Sequence, residues 1–146
     1  MLPRKILVGT DFTSPSKAAL DWAAGFGQAL GADLLVAHVY DLPIVSILDG
    51  TLVVDAQTAA RLSTEAQSAL DAEIQRMNAQ SVAVQGLLRQ GDARVALPQL
   101  AVELGADLLV VGSHGRRGIK HALLGSVAEH VVRASTVPVL VVKASG

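Results

Sequence analysis

The chain has 146 residues, a length that suits one globular domain, and its 12 lysine and arginine residues nearly balance its 13 aspartate and glutamate residues. The resulting formal charge of −1 argues against a general binder of nucleic acid. The absence of cysteine excludes disulfide frameworks, thiolate metal sites and catalytic thiols.

The apolar pattern also bears on the class of protein. No uninterrupted apolar stretch approaches the ~18 residues that a membrane span needs, and an apolar strand pattern follows directly after residues 1–4. The few aromatic residues, which are Phe12, Trp22, Phe26 and Tyr40, exclude base stacking on several aromatic side chains. We therefore expect a cytoplasmic protein with an aliphatic core and with neither a membrane nor a nucleic-acid partner.

The first forty residues predict a strand, a helix and a second strand. Residues 5–10 are apolar and β-branched, which indicates a strand buried on both faces. Ser14 and Pro15 predict the N-cap and the first position of a helix, and Gly31 predicts its end. Residues 33–40 then predict the second strand.

The middle of the chain begins with residues 41–55, which have no clear period and predict a long, partly apolar loop. Residues 56–77 have the spacing of an amphipathic helix, and residues 82–88 alternate as a third strand. A further helix is predicted to open at Asp92, although Pro98 removes a backbone donor inside it.

The last part of the chain predicts two more buried strands, at residues 107–111 and 138–142, with a glycine-rich loop and a helix near Ser126 between them. Alternating strands and helices predict one doubly wound α/β domain, a parallel sheet with helices on both faces. Such sheets bind ligands beyond the carboxyl ends of the strands, where the strand order reverses. The loops after the first and fourth strands are therefore the candidate site.

The segment of residues 112–133 follows the fourth strand and concentrates glycine and positive charge. It contains four glycines and three histidines, and its charged residues are Arg116, Arg117, Lys120 and Arg133 against Glu129, a local charge of 4 − 1 = +3. Glycine lets backbone amides approach an anion, and the amino end of a helix adds unpaired N–H groups. The segment therefore predicts a site for a phosphate chain.

The same segment fits the pattern G-x2-G-x9-G-[S/T] at Gly112, Gly115, Gly125 and Ser126. With the stretches KILVGTDF, GADLLVAHV, GADLLVVGSHG and PVLVV in order, the chain resembles the ATP-binding universal stress proteins from end to end. The resemblance implies a five-stranded parallel sheet of order 3-2-1-4-5. It also implies a homodimer, formed through the apolar last strand, Val139–Val142, which would be an aggregation hazard as an open edge.

The resemblance further implies the residues that would contact ATP, with or without Mg²⁺. They are Thr10 and Asp11 after the first strand, Val39 at the end of the second, and Val111, Gly112, Ser113, His114, Gly115, Gly125, Ser126 and Val127 around the glycine loop. We add Arg116, because its charge stands among the glycines. No residue is assigned a catalytic role.

Several of these residues have competing structural interpretations. Ser126 and Glu129 form a capping box that would start the last helix without a ligand. Asp11 is also typical of a turn, and Arg116 and Arg117 are typical of solvated loop charges. Each interpretation remains open on the sequence.

Other signals are weaker. The loop histidines have spacings that match no metal-ligand pair, so we expect no metal site, and His38 is expected to be a hydrogen-bonded core residue. Ser113 lacks the leading glycine of a nucleophile elbow.

The sequence favours a nucleotide-responsive regulatory module of the stress response, acting on an unidentified protein partner. One alternative is a slow ATPase or phosphotransferase that uses the same site, and a weaker one is a stress protein that oligomerises without nucleotide. The regulatory interpretation is preferred because no Walker lysine, convincing general base or pair of metal carboxylates is evident.

Overall fold

A computed structural model of the chain describes residues 1–42, 55–80, 82–114 and 124–143. Strands and helices alternate along the chain, as the sequence predicted. They are β1 (Lys5–Gly9), α1 (Ser14–Leu30), β2 (Asp33–Tyr40), α2 (Ala56–Ala79), β3 (Val84–Gln90), α3 (Ala93–Glu103), β4 (Leu108–Gly112), α4 (Ser126–Ala134) and β5 (Val139–Val142).

The strands form one five-stranded sheet of order β3-β2-β1-β4-β5, and each neighbouring pair is parallel. The predicted fold class and strand order are therefore confirmed. The chain builds outward from β1 to β3 and then returns to place β4 on the other side of β1, so the strand order reverses between β1 and β4.

Two apolar clusters cover the two faces of the sheet. On one face Ile6 and Val8 of β1 pack with the buried sides of α1 and α2, and on the other Leu7 packs with α3 and α4. These three side chains are fully buried, which confirms that β1 is buried on both faces. The alternation along one strand thus fixes which helices share a face.

Some element bounds differ from the prediction by one or two residues. The strand β3 begins at Val84 rather than at residue 82, because the Val82 N–H donates to the Met77 carbonyl and remains tied to the end of α2. The N-cap of α1 is Thr13 rather than Ser14, while Gly31 ends the helix in the left-handed conformation as predicted. Pro98 lies inside α3 and is buried.

Two further features concern the whole chain. Most of the loop predicted at residues 41–55 falls outside the described residues. None of the helices within the described ranges is long and apolar enough to cross a membrane.

Candidate functional site

A cleft opens at the carboxyl edge of the sheet, beyond the ends of β1 and β4. It is lined by Gly9, Thr10, Asp11, Ser16, Ala37, Val39, Ala93, Leu97, Val111, Gly112, His114, Val127 and Ala128. These residues come from the end of β1 and the loop after it, the start of α1, the second half of β2, the first two turns of α3, the end of β4 and the first turn of α4. The cleft lies where the strand order reverses, the position at which doubly wound sheets bind ligands.

The structure brings most of the predicted site residues together in this cleft. Those that line it are Thr10, Asp11, Val39, Val111, Gly112, His114 and Val127. Ser113, Gly125 and Ser126 are described but are not among the lining residues. Gly115 and Arg116 lie outside the described residues.

The sequence reasoning missed one wall of the cleft, which α3 supplies through Ala93 and Leu97. A signal for it existed, because α3 follows β3 and must therefore begin at the same carboxyl edge as the predicted loops. Leu97 also explains why residue 9 is a glycine, since a Cβ at this position would lie 2.8 Å from the Leu97 Cδ1. The absence of a side chain at Gly9 lets α3 pack close to the end of β1.

Asp11 organises the loop between β1 and α1. Its Oδ1 accepts hydrogen bonds from the Thr13 N–H at 3.1 Å and from the Ser16 hydroxyl at 2.8 Å, and it also contacts the Thr13 hydroxyl. The Thr10 hydroxyl lies 3.1 Å from that of Ser16 and accepts from the Phe12 N–H. The turn role that the sequence allowed for Asp11 is therefore present, beside its position in the cleft.

His38, in β2, contacts the same loop through Thr10 and Phe12. Its side chain is buried, its Nδ1 lies 2.8 Å from the Thr10 carbonyl oxygen, and its ring packs at a tilt against that of Phe12, with centroids 4.4 Å apart. Phe12 has a φ of 65°, a left-handed conformation that is unfavourable for a bulky residue. The prediction that His38 is a hydrogen-bonded core histidine is confirmed, and its contacts hold Phe12 in this turn.

Gly112 joins the two halves of the cleft. A Cβ at this position would lie 2.9 Å from the Pro15 carbonyl oxygen and 3.3 Å from the Ser16 backbone nitrogen. The residue must therefore lack a side chain for the start of α1 to pack against the end of β4, a packing reason that the glycine pattern did not reveal.

Backbone hydrogen bonds hold both sides of the glycine-rich segment. The Ser113 N–H donates to the Val142 carbonyl at 2.8 Å, and the Ser113 carbonyl accepts from the Gly125 N–H at 2.6 Å. Ser113 itself is buried, and its hydroxyl lies 3.2 Å from the His114 Nδ1. The start of α4 is thus attached directly to the end of β4.

The first turn of α4 corrects the predicted capping box. The N-cap is Gly125, whose carbonyl accepts from the Glu129 N–H at 3.0 Å and which has no side chain to cap the helix. Gly125 is extended, so the helix begins at Ser126, one residue earlier than a capping box with Ser126 as the N-cap requires. Ser126 is exposed at this first helical position. The first-turn N–H groups have no partner inside the helix, and Val127 and Ala128 of this turn line the cleft.

The positive charge of the segment is distributed unevenly. Arg133 forms an exposed ion pair with Glu129 at 2.9 Å, so these two charges offset each other on the surface of α4. The local charge of +3 therefore comes from Arg116, Arg117 and Lys120, which lie outside the described residues. No group of three or more metal-ligating side chains occurs within the described ranges.

Comparison with known proteins gives the same fold and length. A sequence model described as "Universal stress protein family" matches residues 3–143. Universal stress protein MJ0577 of Methanocaldococcus jannaschii is 28% identical over 153 residues, which cover 96% of this chain and 94% of that protein. A solved structure of MJ0577 has a TM-score of 0.84 at 27% identity and covers 100% of this chain and 99% of that one.

Two other solved structures contain nucleotides. A universal stress protein in complex with cAMP has a TM-score of 0.67 at 31% identity and covers 99% of this chain and 100% of that one. An Arabidopsis thaliana family member with AMP bound has a TM-score of 0.67, covers 99% of this chain and 94% of that one, and at 19% identity shows the fold alone. From the extent of the family match, this chain belongs to the universal stress protein family.

Proposed function

We propose that this chain binds ATP in the cleft between β1 and β4 and acts as a nucleotide-responsive regulatory module, with residues 1–146 working as a single nucleotide-binding domain. The observation that carries the proposal is the first turn of α4, which opens on the cleft without a side-chain cap. Its N–H groups, which have no partner within the helix, and the positive end of the helix dipole suit a phosphate group. Ser126, exposed at the first position of α4, adds a hydroxyl there.

The opposite side of the cleft suits a nucleoside. Ala37, Leu97 and Val111 give it apolar walls, as is typical of pockets for flat organic groups. The Ala37 carbonyl accepts from the Thr10 N–H, so the backbone of Ala37 faces β1. By strand alternation the backbone of Val39 also faces that side, beyond the last residue of β1. We assign its N–H and C=O to the edge of the base.

The relatives support an adenine nucleotide as the ligand class. The protein in complex with cAMP is 31% identical to this chain over nearly its full length. We extend this to ATP because the glycine pattern continues through residues 115–125 with three additional cations nearby. The phosphates and water molecules would hold Mg²⁺, which binds proteins through few direct ligands.

A regulatory role fits the lining residues better than catalysis. The titratable side chains that line the described part of the cleft are Asp11 and His114. The Oδ1 atom of Asp11 holds the loop through Thr13 and Ser16 rather than standing ready as a base. ATP would then act by ordering the cleft and by changing the surface offered to an unidentified protein partner. The cytoplasmic location of the chain stays a prediction.

We also propose that the chain forms a homodimer through β5. This strand stands at one edge of the sheet, and all four of its residues are aliphatic. An exposed apolar edge favours pairing with another strand. A single-chain mass in solution at micromolar concentration would contradict this part of the proposal.

The nucleotide site can be tested by filling the cleft. Ala93 lies half-buried at its wall, so we expect Ala93→Phe to lower ATP affinity at least roughly tenfold in titration calorimetry by occupying ligand space. The matched control is Ala72→Phe, at an exposed position of α2, which should bind ATP as the unaltered chain does. ATP binding that is absent, or that Ala93→Phe leaves unchanged, contradicts the proposed site. Release of ADP and phosphate by the unaltered chain would favour the ATPase alternative.

A further inference from the structure

The outer edge of β5 carries backbone groups that point away from the sheet. The carbonyls of Pro138 and Val142 accept hydrogen bonds from Leu109 and Ser113, on the side of β4. Because alternate residues of a strand direct their backbone groups to opposite sides, Val139 and Val141 direct theirs outward. Within the described ranges β4 is the strand that pairs with β5, so this row of donors and acceptors is available to another strand.

An aromatic pair, the exposed Trp22 and the half-buried Phe26, lies on a helix that reaches this edge. Trp22 is 57% exposed, and its ring centroid lies 5.8 Å from that of Phe26. The helix that carries both, α1, packs mainly on β4 and β1 and reaches β2 on one side and β5 on the other, whereas α2 packs on β3 and β2.

The opposite flank of α1 is already occupied. There Asp21 lies 3.6 Å from Arg76 of α2. Phe26 stands about 140° around the helix from Asp21, which puts the aromatic pair on the flank away from α2, above the β5 edge.

The other face of the sheet has a similar arrangement. The helices α3 and α4 pack side by side, and Val127 in the first turn of α4 lines the cleft with Ala93 and Leu97 of α3. Val132 stands about 140° around the helix from Val127 and is 47% exposed. An exposed apolar side chain therefore stands on the free flank of α4 as well.

We infer that Trp22 and Phe26 extend the β5 edge into one interface with a second copy of this chain, an inference that rests on the proposed homodimer. Antiparallel pairing of two β5 strands has a two-fold axis perpendicular to the sheet, which places α1 against α1 and α4 against α4. One symmetry operation thus satisfies the outward backbone groups and covers Trp22 and Val132. The formal charge of −1 per chain opposes such an association only weakly.

The tryptophan itself reports on this interface, because Trp22 is the only one in the chain. When the purified chain is diluted through the range in which sedimentation shows loss of the dimer, its fluorescence should shift to longer wavelength and its quenching by acrylamide should increase. Quenching that stays constant while the dimer dissociates overturns the inference but leaves the β5 dimer standing. A monomer at every concentration overturns both.

A pair of variants gives an independent measurement. Trp22→Ala should raise the dimer dissociation constant at least roughly tenfold, since buried tryptophans are often dominant interface residues. Val102→Ala is the control, because Val102 is 61% exposed on α3, away from the β5 edge, and its loss should not alter dissociation. Circular dichroism checks that both variants fold. Equal dissociation constants for the two variants overturn the inference, and unchanged ATP binding in both separates it from the nucleotide site.

Discussion

The helices of the described ranges begin in two different ways. In α2 and α3 an aspartate caps the first turn: Asp55 accepts from the Thr58 N–H at 2.6 Å, and Asp92 from the Arg94 N–H at 3.0 Å. In α1 the side chain of the N-cap, Thr13, makes no capping hydrogen bond, and in α4 the N-cap is Gly125, which has no side chain. The uncapped helices are those that follow β1 and β4, the strands on either side of the reversal in strand order.

The difference indicates where an anion can bind. A capping carboxylate uses one of the first-turn donors and adds a negative charge at the positive end of the helix. The uncapped start of α1 also borders the cleft, through Ser16, but the hydrogen-bonded loop of Asp11 and the backbone of Gly112 cover it. The start of α4 opens on the cleft, so its donors are the ones available to a phosphate group.

The largest effect is expected from giving α4 the kind of cap that α3 has. Gly125 has φ −72° and ψ 171°, an extended conformation that any residue adopts, so Gly125→Asp introduces a capping carboxylate without backbone strain. We expect ATP affinity to fall at least about a hundredfold, because placing like charges together costs several kcal/mol. Calorimetric titration with ATP measures the change, and thermal unfolding should show stability that is equal or higher.

The variant Gly125→Asn separates the cap from its charge. Its amide can also accept a hydrogen bond from the first turn, but it brings no repulsion of phosphate. Its affinity for ATP should therefore lie between those of the unaltered chain and of Gly125→Asp. If both variants bind ATP as the unaltered chain does, the first turn of α4 is not the phosphate site.

A second prediction concerns the contact that covers the start of α1. Gly112→Ala places a Cβ 2.9 Å from the Pro15 carbonyl oxygen, which is backbone and cannot rotate away. We expect the free energy of unfolding to fall by about 1–3 kcal/mol, the usual cost of overpacking, as measured by urea denaturation.

Gly25→Ala is the matched control for this substitution. Nothing lies within 4 Å of a Cβ at Gly25, which is exposed in the interior of α1. Removing a helical glycine should raise stability by about 0.5–1 kcal/mol. A Gly112→Ala variant that is as stable as the unaltered chain would show that α1 does not need this close approach.

The fold was predictable because its signals are regular along the sequence. Short β-branched runs alternate with helical spacing, and a parallel sheet with helices on both faces is the arrangement that satisfies both patterns. The end of a helix was also predictable where one residue type decides the conformation, as Gly31 does at the end of α1. The start of β3 was wrong by two residues, since the hydrogen bond from Val82 to Met77 depends on how the preceding helix ends.

The candidate site was predictable in its loops but not in the wall that α3 supplies. Thr10, Asp11 and Gly112 follow the ends of strands, and strand ends meet at one edge of a parallel sheet. The contacts of Leu97 with Gly9 and of Pro15 with Gly112 depend on helix packing, which no spacing along the chain contains. The start of α4 near Ser126 was predicted, but its N-cap was misassigned, because a serine followed by a glutamate three residues later satisfies the capping-box pattern in any context.

The smallest effect is expected at the capped start of α3. Asp92→Ala removes the cap and should lower the free energy of unfolding by about 1 kcal/mol in urea denaturation. Its exposed ion pair with Arg94 adds little to this value. ATP affinity should not fall, because the Asp92 cap is not part of the proposed phosphate site at the start of α4. A loss of affinity without a loss of stability would reverse the roles of the two helix starts.

The pH dependence of this cap has a defined sign. The side chain of Arg94 lowers the pKa of Asp92 by hydrogen bonding to its carboxylate, and desolvation raises it to a smaller extent. The pKa of Asp92 therefore lies below the ordinary value of 3.8. A carboxyl group with a lower pKa in the folded chain stabilises the fold above its unfolded pKa and loses this contribution as the pH falls through the folded pKa. Asp92→Asn keeps an acceptor but cannot titrate, so the stability difference between it and the unaltered chain should shrink toward zero below about pH 3.8. A difference that stays constant from neutral to acidic pH would mean that the negative charge of Asp92 contributes nothing to the start of α3.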